Sequence, residues 1–327
     1  MAAMDSPPRP ATPPTSRRAP RRDVRVADRL FRWLTQGAGL LVLALIVAIV
    51  VFLVAKAMPA FDEAGRHFFT ERGWFPDASP PHFGVAALIF GTLLSSLLAM
   101  LIATPVAVGT ALVLTELLPG TVATAVGWLV DLLAAVPSVV YGLWGLYFLV
   151  PRMIPFERWL DAHLGFIPLF DSRNNTFGKS IFAASVVLAI MVLPIVAAIS
   201  REVFRQVPTV HREAALALGA TRWEMIRTAV LPPSRPGIIA GVMLGLGRAL
   251  GETIAVALVL GAIYDINIHI LEPGGSTIAA NIALKFGEAA STGRAALVAS
   301  GLVLFAITLV VNVSARAIVR GRTDADA

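Results

Sequence analysis

The 327-residue sequence contains no cysteine. Disulfides, thiolate nucleophiles and cysteine-ligated metals are therefore excluded. The five histidines are scattered and none forms an H-x-x-x-H pair, so no metal site is expected. A nucleotide-binding loop is missing as well. Gly178-Lys179-Ser180 has the ending of one, but the glycine needed five residues earlier is Arg173. Charge is the scarcest resource of all, at 15% of residues, where a soluble domain carries about 25%. That is too little to coat a water-facing globule. An ordinary soluble enzyme is excluded in practice, and no cofactor is expected.

What is present is apolar length. Hydrophobic residues make up 57% of the chain and the mean hydropathy is +0.76. Residues 1–35 are Pro- and Arg-rich at their start and read as a disordered cytoplasmic tail, because such a stretch buries too little surface to offset its ordering entropy. Residues 36–57 follow as a first transmembrane helix, with Gly37–Ala55 uncharged and long enough to span about 30 Å of hydrocarbon. Ala55-Lys56-Ala57 has the form of a signal-cleavage site. The apolar run, however, exceeds the roughly 7–15 residues of a signal peptide. Five more apolar stretches lie at Phe83–Leu117, Ala123–Val150, Ile181–Ser200, Gly237–Ala262 and Ala295–Val319. Phe83–Leu117 contains Pro105 and is long enough for one kinked helix or two short ones. The whole is expected to be an all-α integral membrane protein with six transmembrane helices. Residues 83–319 would form its core and 320–327 a second cytoplasmic tail.

The net charge of +6 needs no nucleic acid to explain it. Lys and Arg collect on the cytoplasmic side of membrane proteins. With six spans and both termini cytoplasmic, eight arginines of the N-terminal segment fall inside. So do six in Arg201–Arg235 and three near the C-terminus, leaving nine Lys and Arg outside. Splitting the second stretch at Pro105 would reverse this bias. The expected location is the cell membrane, as a multi-pass protein.

The loop 201–235 holds the densest pattern. Pro208 and Thr209 open a helix, with Thr available as a cap, and Gly219 suits a left-handed closing residue. Thr221 and Glu224 form a capping box for a second helix towards Leu231, which Pro232, Pro233 and Pro236 would stop. Taken alone, this is an amphipathic connector on the membrane surface. Glu213-Ala214-Ala215, then Gly219, then Leu231-Pro232, resembles the EAA loop of binding-protein-dependent ABC transporter permeases, although Ala229 stands where that family has Ile.

Arg248 and Glu252 fall near the middle of the fifth stretch, four residues apart. Their helical face would carry Gly241, Gly245 and Ala255; the opposite face would carry Ile239, Met243, Leu246 and Leu250. A charge at the bilayer centre costs about 2.5–3.5 kcal/mol on insertion scales. The two residues are therefore either an internal ion pair that fixes packing or a pathway site in which Arg grips an oxyanion. Asp131, in the third stretch, reads as a structural hydrogen-bonding or snorkelling residue.

The stretches Ala134–Gly145 (AAVPSVVYGLWG) and Gly245–Val256 (GLGRALGETIAV) resemble those of PstC-type phosphate permease subunits. With the EAA loop, the resemblance covers about Phe83–Val319. It implies a type I ABC importer permease (MetI-like) fold and no enzymatic activity of the chain itself. It further implies partnership with a homologous PstA-type permease subunit, a cytoplasmic ATPase dimer and an extracytoplasmic phosphate-binding protein, in a lipid bilayer. Arg248 and Glu252 would line the phosphate path, and Glu213, Ala214, Ala215 and Gly219 would couple to the ATPase. A sulfate or molybdate permease, or an ATP-independent anion carrier or channel, is the alternative.

Overall fold

The computed structural model describes residues 22–323, with side chains from 28 to 315 and at 317. In chain order, the elements are α1 (Arg22–Ala64), a 3₁₀ turn at Gly65–Phe69 and a hairpin of β1 (Trp74–Phe75) and β2 (His82–Phe83). Next come α2 (Ala86–Leu112), α3 (Gly120–Ala134), α4 (Ser138–Trp144), α5 (Val150–Leu164) and α6 (Ile181–Arg205). The chain continues through α7 (Thr209–Ala217), α8 (Arg222–Met225), α9 (Leu231–Leu250), α10 (Ile254–Val259), α11 (Ile278–Lys285) and α12 (Ser291–Thr323). Wide π turns at Val113–Leu117, Gly145–Leu149 and Ile226–Val230 extend α2, join α4 to α5 and join α8 to α9.

Two compact units divide at Phe52 and Leu53. The first is most of α1, whose apolar side chains from Leu30 to Phe52 are largely exposed. An apolar helix with no buried face is what lipid, rather than water, solvates. The expected tail 1–35 needs correction at its C-terminal part, because residues 22–35 are helical. Val24, Ala27, Leu30, Phe31 and Leu34 recur at helical spacing and continue the apolar run upstream. Residues 1–21 and 324–327, where the rest of the two expected tails falls, lie outside the described residues.

In the second unit, α6 is the element on which the others assemble. The reason is written in side-chain size. On α2, Ala87, Gly91, Ser95, Ala99, Ala103, Ala107 and Ala111 recur every fourth residue and all are buried. On α9, Gly237, Gly241 and Gly245 recur at the same spacing, the last two buried. A Cβ at these three glycines would come within 2.5 Å of Val203, 2.9 Å of Ile199 and 2.6 Å of Val192, respectively. α6 answers with Ala184, Leu188, Val192, Val196 and Ser200, again every fourth residue and buried. Small residues at this spacing let two backbones approach closely, which is how helices associate where lipid removes the hydrophobic drive. The second stretch is thus one helix carrying Pro105.

The third stretch is one crossing made of two helices. Gly127 and Asp131 on α3 lie against Arg201, Gly145 lies against Val187, and Glu157 on α5 accepts hydrogen bonds from Gly178 N and Ser180 Oγ. Passing from α3 to α5, the chain therefore runs antiparallel to α6 from one end to the other. Within the Ala123–Val150 stretch the helix breaks at Val136–Pro137. Pro137 lacks the N–H that would bond Leu133 O and disfavours helical backbone in the residue before it.

The expected loop 201–235 shrinks to residues 206–221 outside the long helices, because Arg201–Arg205 complete α6 and Arg222 opens the next helix. Pro232, Pro233 and Pro236 do not stop that helix. The wide turn Ile226–Val230 precedes the first two, placing them in the opening turn of α9, where a missing N–H costs least. At the other end, Asp77 accepts from Ala290 N and Gly293 N at the start of α12 (3.0 and 2.8 Å). Glu71 accepts from Arg72 N and Gly73 N, which holds its carboxyl below the usual range.

Gly91 is the sharpest test of the close packing. A Cβ there would collide with the backbone oxygen of Ser276, and backbone cannot yield as a side chain can. Gly91→Ala is expected to cost about 1–3 kcal/mol, while Gly109→Ala, with nothing within 4 Å, is expected to be neutral. Thermal unfolding of the two variants in detergent checks the difference.

Candidate functional site

The two stretches that looked distinctive in the sequence pack on each other. A Cβ on Gly142 would lie 2.8 Å from the Ala255 Cα, and one on Gly145 would lie 3.1 Å from Val259. α4 thus lies directly on α10, and each of these short helices begins at a break in a crossing helix. At the first break the Tyr141 hydroxyl donates to Leu133 O at 2.8 Å. It serves the carbonyl that Pro137 cannot. At the second, α9 ends at Leu250 and the chain passes through Gly251, Glu252 and Thr253 before α10. The Glu252 carboxylate accepts from Ala255 N at 3.2 Å, satisfying a free donor of the first turn of α10.

This geometry corrects the expected helical face. Arg248 and Glu252 are not one turn apart on a continuous helix, because the helix ends between them. Leu246, placed on the face opposite the charged pair, packs on the main apolar core, and Leu250 is buried. Among the described residues the two form no ion pair with each other. Glu252 is buried and committed to the backbone; Arg248 is exposed and bonds no described carboxylate. Gly245, three residues before Arg248, meets Val192 and Val196 of α6. Arg248 therefore sits at the level of the middle of α6, within electrostatic reach of Tyr141.

Irregular backbone at membrane depth persists only where protein or a water-filled cavity surrounds it. The structure thus places at one level two apposed breaks and a guanidinium that bonds no described carboxylate. Asp131 and Arg201 make the contrasting case. Their two hydrogen bonds, both 2.8 Å, tie α3 to the end of α6, and Gly127 leaves room for the guanidinium. Asp131 is structural, as expected, but its partner was invisible from the sequence.

At the end of the molecule that holds α7, Glu213 and Ala214 are exposed and Ala215 is half-buried against the cluster of Phe204, Met225, Ile226 and Val230. Gly219 has φ +86°, the left-handed residue the turn requires. The Thr221–Glu224 capping box is formed: Glu224 N donates to Thr221 Oγ1 at 3.3 Å, and Thr221 N donates to Glu224 Oε2 at 2.8 Å. Pro208 rather than Thr209 occupies the N-cap of α7, and no side chain caps it. Val210, Leu218 and Trp223 stand exposed around this loop.

A pair of long broken helices around a buried small-residue stripe, with a two-helix loop projecting from one end, is the build of an importer's membrane subunit. The chain belongs to the family described as binding-protein-dependent transport system inner membrane component, whose family model matches residues 103–324. Within that class, it is similar to curated proteins named PstC. It is 43% identical over 321 residues to phosphate transport system permease protein PstC 2 of Mycobacterium tuberculosis, covering 96% of this chain and 98% of that one. It is 43% identical to PstC of Xylella fastidiosa, covering 90% and 91%, and 39% identical to PstC of Pasteurella multocida, covering 88% and 89%. Among solved structures, a bacterial ABC transporter involved in the import of the acidic polysaccharide alginate matches with TM-score 0.52. It is 21% identical and covers 89% of this chain and 99% of that chain. That likeness concerns the fold.

Tyr141→Phe is expected to leave Leu133 O with only the 3.3 Å bond from Val136 N. The cost is about 1 kcal/mol, read as a lowered unfolding midpoint with unchanged helix content.

Proposed function

We propose that this chain is a permease subunit of an ATP-driven phosphate importer. It forms the translocation path with a homologous subunit of PstA type. An external phosphate-binding protein delivers the anion, and a cytoplasmic ATPase dimer docks on the loop of α7 and α8. Both termini and that loop lie on the cytoplasmic side, in line with the excess of arginine there. The observation that carries the reading is Arg248, a guanidinium without a carboxylate partner at mid-membrane level, beside two helix breaks. The phosphate assignment draws on the PstC relatives, which span nearly the whole chain.

The chain's own residues divide the work. Arg248 holds a tetrahedral oxyanion through a planar fork of donors. Glu252, spent on the start of α10, sets the geometry of the break and keeps a negative charge nearby. The anion is therefore bound weakly enough to be released. Glu213, Ala214, Ala215 and Gly219 form the coupling surface: small residues for close approach, a charged anchor, and a turn that points the loop outward. ATP is hydrolysed in the partner; this chain supplies the path and the contact.

Uptake of labelled phosphate by vesicles holding the reconstituted importer, measured against sulfate, tests the reading. Phosphate uptake that requires this chain and ATP is expected. Equal uptake with and without the chain, or preference for sulfate, refutes it. Arg248→Gln is expected to lower uptake by roughly tenfold or more, the loss of a charge-assisted contact of about 1.5–3 kcal/mol. Glu252→Gln keeps an acceptor for Ala255 N and is expected to alter uptake less.

A further inference from the structure

α7 has no buried residue of its own, yet it must carry force if a partner pushes on it. Among the described residues, its polar attachment to the long helices is one side chain, beside the half-buried Ala215. Arg212 donates from Nε and Nη2 to the two carboxylate oxygens of Glu116, at 3.1 and 2.9 Å. Glu116 lies in the wide turn that ends α2. The same guanidinium donates from Nη2 to Phe204 O at 2.6 Å and from Nη1 to Val207 O. These carbonyls belong to the end of α6 and the segment just past it, where a helix leaves its last acceptors unserved and its dipole is negative. The Glu116 side chain is 5% exposed and that of Arg212 18%. This is a largely desolvated bidentate pair and not a surface ion pair worth a few tenths of a kcal/mol.

We propose that Arg212, held by Glu116, is the positioning residue through which displacement of α7 reaches α2 and α6. The proposal rests on the importer reading above. α2 and α6 are the two elements joined by the small-residue stripes, and α6 carries α9 with Arg248. A shift of α7 is therefore handed to the packed pair that sets the level of the anion site. One side of the latch is not packed solid. It borders a cavity of about 470 Å³ lined also by Leu118, Pro119, Leu216, Arg222 and Met225. Lysine does not replace Arg212, because a single ammonium lacks the fork that serves a carboxylate and two carbonyls at once.

The experiment measures phosphate uptake and ATP hydrolysis on the same reconstituted importer, for the native chain, Arg212→Lys, Glu116→Gln and the control Arg205→Gln. Arg205 is exposed and in no described ion pair. The result expected is retained assembly and hydrolysis in both latch variants, with phosphate moved per ATP reduced about tenfold, within the roughly 5–150-fold usual for coupling between sites. Arg205→Gln should be unchanged. An unaltered ratio in both latch variants overturns the proposal. So does loss of uptake and hydrolysis in equal proportion, which marks a merely structural pair. If the native importer moves another anion in place of phosphate, the same ratio is read with that anion. The failure of the substrate assignment and the failure of the latch are then separate results.

Discussion

Everything in the second unit depends on how closely α2 and α9 can approach α6. Lipid offers apolar side chains the same environment they would find between helices, so burial alone gives little reason to associate. Contact distance has to supply it. The every-fourth-residue stripes of alanine, glycine and serine on α2 and α9 bring backbones together, and the valines of α6 fill the space left by missing Cβ atoms. A bulky residue at Gly237, Gly241 or Gly245 would meet Val203, Ile199 or Val192 of α6 and push the two helices apart.

With α6 fixed in this way, two neighbouring crossings are free to break. A break in a membrane helix leaves backbone donors and acceptors that no solvent will satisfy. Here each is repaired by a side chain from the same region: Tyr141 for Leu133 O and Glu252 for Ala255 N. The repairs explain why polar residues stand there at all. They also leave Arg248, which repairs nothing, without a described carboxylate partner. The charged residues near the membrane thus sort into three kinds. Arg201 and Arg212 are tied to carboxylates and hold helices together, Glu252 is tied to the backbone, and Arg248 remains open.

Much of this was legible in advance. The left-handed Gly219, the Thr221–Glu224 cap and the number of apolar spans follow from local rules and appear as expected, although the third and fifth spans are broken and shifted along the chain. The small-residue stripe of α2 was equally present in the sequence. It is masked there because an apolar helix shows no contrast between its faces, and size, unlike polarity, leaves no hydropathy period. The expectation of one polar face for Arg248 and Glu252 failed for a similar reason. It assumed helix continuity through Gly251-Glu252-Thr253, where Gly251 and the capping carboxylate end one helix and begin another.

By itself the sequence determined that this chain lives in a bilayer, how many times it crosses and where a capped two-helix loop projects. Those properties depend on composition and on spacings of a few residues. Tertiary structure decided which carboxylate meets which cation, across 70 residues for Asp131 and Arg201 and 96 for Glu116 and Arg212. It also decided that two distant motifs share one level of the membrane. No local periodicity reports such pairings, because they are set by helices that pack as bodies after each has formed.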